Sequence, residues 1–382
     1  MANILTNLIP DLYQGLDEVS RELVGFIPSV ARNSSAERAA LGQSVYVPIS
    51  TELSSADVVP GMQVPEPTDF STDGVSIVIN KSKNVSFGLT GEEYKGLQNG
   101  VGADTILSEN FKQALRTLTN EIERDIAEEA KLHVSRSVGT AGTTPFATNL
   151  KDAALARQVL DDNGAPLADR SLVIDTAAGV NLRSLTQLTN VDNAGTSMTL
   201  RQGELLNLFG LSIKESAAIN AEDGEKGDAA GVTLSVAKIG DRKLKIKAAT
   251  SGSINAGDYI TIAGDSNKYM VVKTVAVAAD GEIEISAPGL RKAVADGSAV
   301  TVVNKGTSNL AFTRNAIQLV TRAPALVGGK DSAVDNYMLT DPRSGLSFEV
   351  RVYEGYRKMR AEVACAWGVK TIKPEHVVAL LG

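Results

Sequence analysis

The longest stretch free of Gly and Pro is Asp104 to Val138, DTILSENFKQALRTLTNEIERDIAEEAKLHVSRSV. Leu107, Phe111, Leu115, Leu118, Ile122, Ile126 and Ala130 recur three or four residues apart, which places them in one apolar stripe on a helix. Glu121, Glu123, Arg124, Glu128 and Lys131 supply good helix formers to the remaining faces. Asp104 suits an N-cap, its side-chain oxygen accepting from free first-turn amides, and Gly139 suits the stop. At about 1.5 Å per residue such a helix is roughly 50 Å long. That is too long for a small compact domain, and the heptads are too few for a coiled coil. Two readings fit: a core helix of a large domain, or a spine across a flat, elongated subunit with one sheet or hairpin along its narrow stripe.

Upstream, Met1 to Asn33 reads as an amphipathic arm, with Leu12, Leu16, Val19, Leu23 and Ile27 at helical spacing and Pro28 closing it. It packs either on its own domain or on a neighbour. An N-terminal arm over residues 1–42 is thus followed by an extended hairpin arm over 43–90. There Val45, Val47 and Ile49 alternate around Pro48, as in an edge strand. A polar stretch punctuated by Pro60, Pro65 and Pro67 follows, and then VSIVIN and NVSFGLT read as two strands around Lys81, Ser82 and Lys83. A structureless stretch of this length is uncommon inside a compact domain, so its partner surface is expected on another chain. A simple flexible loop is the competing reading.

Residues 91–148 hold a glycine-rich joint, the long helix and the linker GTAGTTP. Residues 149–216 begin a mixed α/β domain. A helix over Asn149 to Leu160 precedes a buried strand over Ser171 to Ile174, and a helix capped by Asp175 or Thr176 runs through Leu188. A short helix over Leu205 to Phe209 and a strand over Leu211 to Lys214 follow. Over 217–305 the texture is all short strands, VTLSV, KLKIKA, YITIAG, YMVVKTVAV, EIEIS and AVTVVN, separated by turns, which indicates a small β-barrel. Mixed texture returns over 306–382, so the barrel reads as an insertion in an α+β chain.

The totals exclude several classes. The net charge of −7 gives no basic footprint for nucleic acid, and 4% aromatics argues against a deep aromatic-lined pocket. A single cysteine, Cys365, rules out an intrachain disulfide framework. MANILTNLIP does not read as a signal peptide, and no run approaches the roughly 20 apolar residues of a membrane span. A reducing cytosol and no membrane partner are therefore expected. His133 and His376 lie outside any HExxH or CxxC setting, and Cys365 alternates with Val363 and Trp367 as a buried structural thiol does. GGKDS (Gly328 to Ser332) lacks the spacing of a phosphate loop, and EDGEKGD (Glu222 to Asp228) departs from the calcium-loop pattern. Nothing assembles a nucleophile, a base and an oxyanion donor, so no catalytic, cofactor-binding or metal-ligating residues are expected.

The order of parts is itself informative. AGDYITIAG, VVKTV and DGEIEIS, then FTRNAIQLVTRAPA, DPRSGLSFEVRV and CAWGVKTIKPEHVVALLG, resemble the inserted domain, the return strand and the C-terminal end of one family. With the two arms and the long helix, essentially the whole chain resembles the major capsid proteins of tailed bacteriophages. Their fold is the Hong Kong ninety-seven type, here of the P-twenty-two type with an inserted domain. The insertion, residues 217–305, is shorter than the family leads one to expect. The resemblance implies a non-enzymatic coat protein without cofactors that assembles with itself as hexamers and pentamers in an icosahedral shell. It further implies an internal scaffolding protein, a portal protein at one vertex, packaged double-stranded DNA held without sequence-specific binding, assembly in the host bacterial cytoplasm, and a final place in the virion. It places contacts between neighbouring capsomers on the insertion, where Glu222, Asp223 and Asp228 face Arg242 and Lys243 across a local two-fold. Some relatives crosslink through lysine and asparagine, but nothing around Lys81 and Lys83 identifies the other participants. The alternatives are a cellular nanocompartment shell of the same fold and, from a different class, a multidomain enzyme or ligand-binding protein.

Overall fold

The computed structural model describes residues 24–49, 55, 57–58, 73–98, 103–185, 207–220, 226–250, 252–277, 281–304, 306–326, 331–340 and 345–382. A buried turn at Phe26 and Ile27 leads into β1 (Ala31–Ala39). Strands β2 (Ser44–Ile49), β3 (Asp73–Val78) and β4 (Lys81–Thr90) precede helices α1 (Gly91–Gln98) and α2 (Ala103–Lys131). Then come β5 (Arg136–Gly139), α3 (Lys151–Asp162), β6 (Arg170–Ile174), α4 (Thr176–Ser184), β7 (Asn207–Leu208) and β8 (Leu211–Glu215). A run of short strands follows: β9 (Thr233–Leu234), β10 (Lys243–Ala248), β11 (Ser253–Ile254), β12 (Tyr259–Ile262), β13 (Lys268–Met270), β14 (Val275–Ala276), β15 (Glu282–Glu284) and β16 (Ser298–Val302). The chain ends with β17 (Ser308–Thr313), β18 (Ile317–Pro324), β19 (Asp335–Thr340), β20 (Ser347–Gly355), β21 (Lys358–Thr371) and β22 (Val377–Leu381).

One sheet runs β1-β18-β21-β20-β19, with β4 paired to β21. Helix α2 lies across it. Phe111, Leu115, Leu118, Ile122, Ile126 and Ala130 share a core with Phe348, Val350, Val363 and Trp367. Each large apolar side chain buried this way contributes about 1.5–3 kcal/mol. Phe87 of β4 meets Phe111 edge-on, with ring centroids 4.6 Å apart.

A polar ladder runs beside that stripe. Glu121, Asp125 and Glu129 recur every fourth residue and so share one helix face. Lys83 pairs with Glu121, and Lys81 Nζ donates to Asp125 Oδ1 at 2.6 Å. Trp367 Nε1 donates to Asp125 Oδ2 at 2.7 Å, and the Thr371 amide to Glu129 Oε1 at 3.2 Å. Lys81 and Trp367 are cross-strand neighbours, so one carboxylate binds both strands at that level.

Glu123 departs from the solvent-facing role its sequence position implies, for it is 3% exposed. Oε1 accepts from the Gly25 amide (2.7 Å), the Phe26 amide (2.7 Å) and the Ser216 hydroxyl (2.7 Å), and Oε2 from the Ile27 amide (2.9 Å). Burial pushes the carboxyl above its ordinary range against the opposing pull of these donors. Gly25 is required at the crossing, because a Cβ there would lie 2.7 Å from Val173 Cγ1 and 2.8 Å from the Glu215 carbonyl oxygen.

Several boundaries differ from the sequence expectation. The long helix stops at Lys131 rather than running toward Val138, because the Ser135 amide donates to the Val377 carbonyl and β5 joins β22 in parallel. Sheet pairing overrides local helix preference there. Of the two readings of the N-terminal arm, its described residues from 24 onward pack on their own chain: Phe26 and Ile27 are core residues and β1 pairs with β18. The hairpin is β2 with β3, whereas β4 belongs to the sheet through ten cross-strand neighbours on β21, from Lys81↔Trp367 to Thr90↔Lys358. The expected joint at 91–102 contains α1, and Asn207–Leu208 pairs as a strand where a short helix was expected. Asp175 does cap α4, accepting from the Thr176 amide at 2.7 Å, although the helix ends at Ser184. The expected helix over the first residues lies outside the described residues up to position 23.

The second sheet runs β15-β10-β9-β16-β12-β13-β5-β22-β17-β6-β8-β7. Its first six strands curl as a half-barrel around a separate core that includes Leu244, Ile246, Ile260, Ile262, Tyr269, Ile283, Val300 and Val302. At the rim the Val272 amide donates to the Glu284 carbonyl at 2.9 Å, and the Ser286 amide to the Met270 carbonyl at 3.0 Å. The remaining strands carry a third core, in which Leu172, Ile174, Leu211, Ala311 and Val378 pack against Ala153, Ala156 and Leu160 of α3.

Replacing Glu123 with Ala strands three buried amides and one hydroxyl. At about 1–3 kcal/mol per unsatisfied buried group, Glu123→Ala is expected to cost on the order of 4 kcal/mol in urea unfolding followed by Trp367 fluorescence. The half-exposed Lys83–Glu121 pair is worth far less, and Lys83→Ala is expected to cost under about 1 kcal/mol. Comparable losses in the two variants would contradict this ranking.

Candidate functional site

The charges singled out over residues 217–305 occupy separate places. Glu222 and Asp223 lie outside the described residues. Asp228 is exposed, its Oδ1 accepts from the Ala230 amide at 3.0 Å, and its own amide donates to the Ser253 carbonyl at 2.9 Å. These bonds fix its loop beside β11, just beyond the far end of β10. Arg242 and Lys243 stand at the other end of β10, both exposed. Six strand residues at about 3.3 Å each put roughly 20 Å between the two ends, so Asp228 and Arg242 do not meet within one chain.

Lys243 and Arg242 also differ from each other. Lys243 lies opposite Glu284 and Lys245 opposite Glu282 in the β10–β15 ladder, and Lys247 pairs with Asp296. The outward lysines of β10 therefore face carboxylates of their own chain. Arg242 precedes this alternation, and its guanidinium makes no hydrogen bond or ion pair among the described residues. Its loop is well defined: the Lys238 amide donates to Asp241 Oδ2 at 2.7 Å, and the Gly240 amide to the Leu290 carbonyl at 2.8 Å. Val236 and Ile239 emerge on the same turn, 70% and 66% exposed. The sequence reads VTLSV as a strand, which does not mark Val236 as exposed, whereas Ile239 lies in the KIGDRK turn, Lys238 to Lys243.

A second surface lies on the β2–β3 hairpin. Val45 and Val47 pack inward beside Ile77, Ile79, Val320 and Ala366. Tyr46, Val78 and the adjoining Leu41 turn outward, 57%, 47% and 65% exposed. The Tyr46 ring lies over Gly74, where a Cβ would sit 2.1 Å from it, so a larger residue there would have to swing the exposed ring aside. A two-stranded hairpin is marginal on its own in water, and this one exposes apolar groups on the face turned from its core.

The other residues singled out have structural surroundings. Cys365 is buried, its thiol donates to the Ser347 carbonyl at 3.4 Å, and burial pushes its pKa up to about 12. His133 lies just past α2 with Nδ1 2.9 Å from the Glu129 carbonyl oxygen, and burial pushes the His376 pKa down. Asp331 of GGKDS pairs with Arg351, and residues 327–330 lie outside the described residues. Among the described residues no group of three or more His, Cys, Asp or Glu side chains is disposed to hold a metal ion, and no helix is long and apolar enough to cross a membrane. A cleft of about 140 Å³ beside Phe26, Arg124, Glu128, Lys131 and Asn220 falls well short of a usual ligand pocket. The exposed features are suited to contact with another macromolecular surface.

No family model matches the sequence, and no curated protein matches it either. Solved structures do. A chain of the capsid structure of the cyanophage P-SCSP1u is similar at 14% identity and a TM-score of 0.50, over 94% of this chain and 88% of that one. A chain from Mycobacterium phage Che8 is 15% identical with a TM-score of 0.44, covering 89% of this chain and 84% of its own. A virus-like particle from Pyrococcus furiosus is 12% identical with a TM-score of 0.40, covering 97% and 96%. The match to the cyanophage chain shows a phage capsid fold of mixed α and β structure.

Arg242→Glu is expected to leave the melting temperature of the unassembled chain unchanged, because its side chain has no partner to lose among the described residues. Lys243→Glu instead sets two carboxylates opposite each other across β10 and β15 and is expected to cost about 0.2–1 kcal/mol. Parallel thermal melts of the two variants distinguish these outcomes; equal shifts would show that the Glu284 pairing contributes nothing.

Proposed function

We propose that this chain is the major capsid protein of a tailed double-stranded DNA bacteriophage, a structural protein that assembles with itself into an icosahedral shell of hexamers and pentamers. The observation that carries the reading is the fold shared with the cyanophage capsid structure across 94% of this chain. The half-barrel is read as the inserted β-barrel domain of the P-twenty-two type, spanning residues 217–305, with its rim closed by the Val272–Glu284 and Ser286–Met270 bonds. Helix α2 is the spine, and the β2–β3 hairpin is the root of an extended arm that lies on the neighbouring subunit and covers Tyr46, Val78 and Leu41. A scaffolding protein, a portal protein and packaged DNA complete the proposed set of partners. With a net charge of −7 the chain surrounds DNA without reading its sequence. The particle assembles in the host bacterial cytoplasm and the chain ends in the virion.

In this reading the insertion carries contacts between capsomers, with Glu222, Asp223 and Asp228 meeting Arg242 and Lys243 of a neighbour. Arg242, the member without an intrachain partner among the described residues, carries most of that contact. Exposed pairs contribute only about 0–1 kcal/mol each, but a closed symmetric shell repeats them many times.

Electron microscopy of the recombinant protein, alone and with a candidate scaffold, is expected to show closed shells built of five- and six-fold rings. A soluble monomer stabilised by a small ligand would overturn the proposal in favour of a ligand-binding protein. Hydrogen exchange adds a residue-level check. Amides of residues 44–49 and 73–78 are expected to gain protection on assembly, and equal protection in both states would remove the intersubunit role of the hairpin.

A further inference from the structure

The half-barrel and the rest of the chain meet along a narrow joint. Both chain crossings lie at one end of the half-barrel: the Gly227 amide donates to Asp258 Oδ2 at 2.9 Å, and the Val303 amide to the Tyr259 carbonyl at 2.8 Å. Tyr259 and Met270, cross-strand neighbours at that same end, enter the core under α2, and Val272 and Val303 pack against it beside them. Sheet continuity across the joint consists of two residue pairs, Lys268↔Ser137 and Tyr269↔Arg136. By comparison, β4 and β21 share ten.

Arg136 bridges this joint while 3% exposed. Nη1 donates to Asn267 Oδ1 at 2.8 Å on the half-barrel side, and Nη2 to Asn163 Oδ1 at 3.0 Å at the end of α3. Each asparagine is held by its own side. Asn267 Nδ2 donates to Asp265 Oδ1 at 2.7 Å, and Asn163 Nδ2 to the Glu375 carbonyl at 2.7 Å. The guanidinium has one carboxylate nearby, Asp162 at 3.5 Å, and its buried Nε has no hydrogen-bond partner among the described residues. Burial and the charge of Arg291 both push its pKa down, against the pull of Asp162 and Tyr269. Lys268, half-buried beside it, donates to the Gly139 carbonyl. The joint thus holds a buried cation with incomplete compensation: two amide carbonyls, one partly exposed carboxylate at 3.5 Å and an unsatisfied Nε. A partly satisfied buried network of this kind has less to lose on rearrangement than a fully satisfied one.

We propose that the β5–β13 joint is a hinge about which the half-barrel changes its angle to the main sheets, pivoting at Tyr259 and Met270, with Arg136 as the positioning residue that sets the angle. Its use rests on the shell reading: one chain placed in both five- and six-fold rings needs more than one angle between its parts, and the joint supplies it. The motion belongs to the hinge type, in which a few residues at element ends absorb the change while the packed bodies stay rigid.

The test is made on the unassembled full-length chain, so that failure of assembly does not affect it. Spin labels placed at Lys151→Cys on α3 and Lys245→Cys on β10, both exposed positions, report the distance between the two parts by double electron–electron resonance, with buried Cys365 left unlabelled. Arg136→Ala and Arg136→Lys are expected to shift and broaden the distance distribution, Lys less than Ala because it keeps the charge but loses the fork. An arginine with a merely structural role would lower the melting temperature and leave the distribution unmoved. A distribution unchanged in Arg136→Lys, which retains the charge and is the milder of the two changes, together with one unchanged in any folded Arg136→Ala, would overturn the hinge. If the distribution shifts but no particles form, the shell reading fails and the hinge stands.

Discussion

Helix α2 holds the molecule together because both its sides are committed. Its apolar stripe enters the core of the sheet built from β18, β20 and β21, and its carboxylates at Glu121, Asp125 and Glu129 reach the strands themselves. Glu123 then ties the opposite side of the helix to the chain at Gly25, Phe26 and Ile27 and to Ser216. A buried carboxylate is costly unless its lone pairs are filled. Four donors fill these, so the N-terminal segment, the helix and the end of β8 can hardly move independently. The rest of the main fold is arranged around that fixed crossing.

The half-barrel follows a different logic. Its core draws on its own short strands, and its outward lysines face carboxylates on the next strand. Its ties to the remainder of the chain are local to one end: the β5–β13 pairs, Tyr259 and Met270 with Val272 and Val303 beside them, the Arg136 bridge and the Lys268–Gly139 bond. In the proposed hinge, the body organised by α2 carries the half-barrel on the β5–β13 joint. For a shell subunit this division is useful, because the first body can keep a constant shape while the second adapts to its neighbours.

The exposed features agree with that division. Val236, Ile239 and Arg242 project from one turn of the half-barrel, and Tyr46, Val78 and Leu41 from the hairpin of the other body. Each patch is small. Small surfaces become consequential when symmetry repeats them, which is the physical basis for reading the chain as a unit of a closed shell rather than as a monomer with one binding site.

The sequence by itself determined the elements whose signals are local. The apolar spacing in α2, the alternation in β2, the run of short strands from β9 to β16, the Asp175 cap and the buried setting of Cys365 can all be read from neighbours within a few residues. The tertiary structure decided what depends on partners far along the chain. Ser-Arg-Ser-Val after the helix is a strand because β22, some 240 residues later, offers it a place in a sheet. Glu123 looks like any solvent-facing helix glutamate until amides 96 to 98 residues earlier close over it. Arg136 looks like a polar helix residue until Asn163 and Asn267 arrive from two different bodies. Of the candidate contact residues, composition marked Arg242 and Lys243 equally. Only the β10–β15 register separates them, by placing Glu284 opposite Lys243 and leaving Arg242 to face outward. A side chain's charge is written in the sequence, but whether that charge is satisfied depends on the register and packing of residues the chain brings from elsewhere.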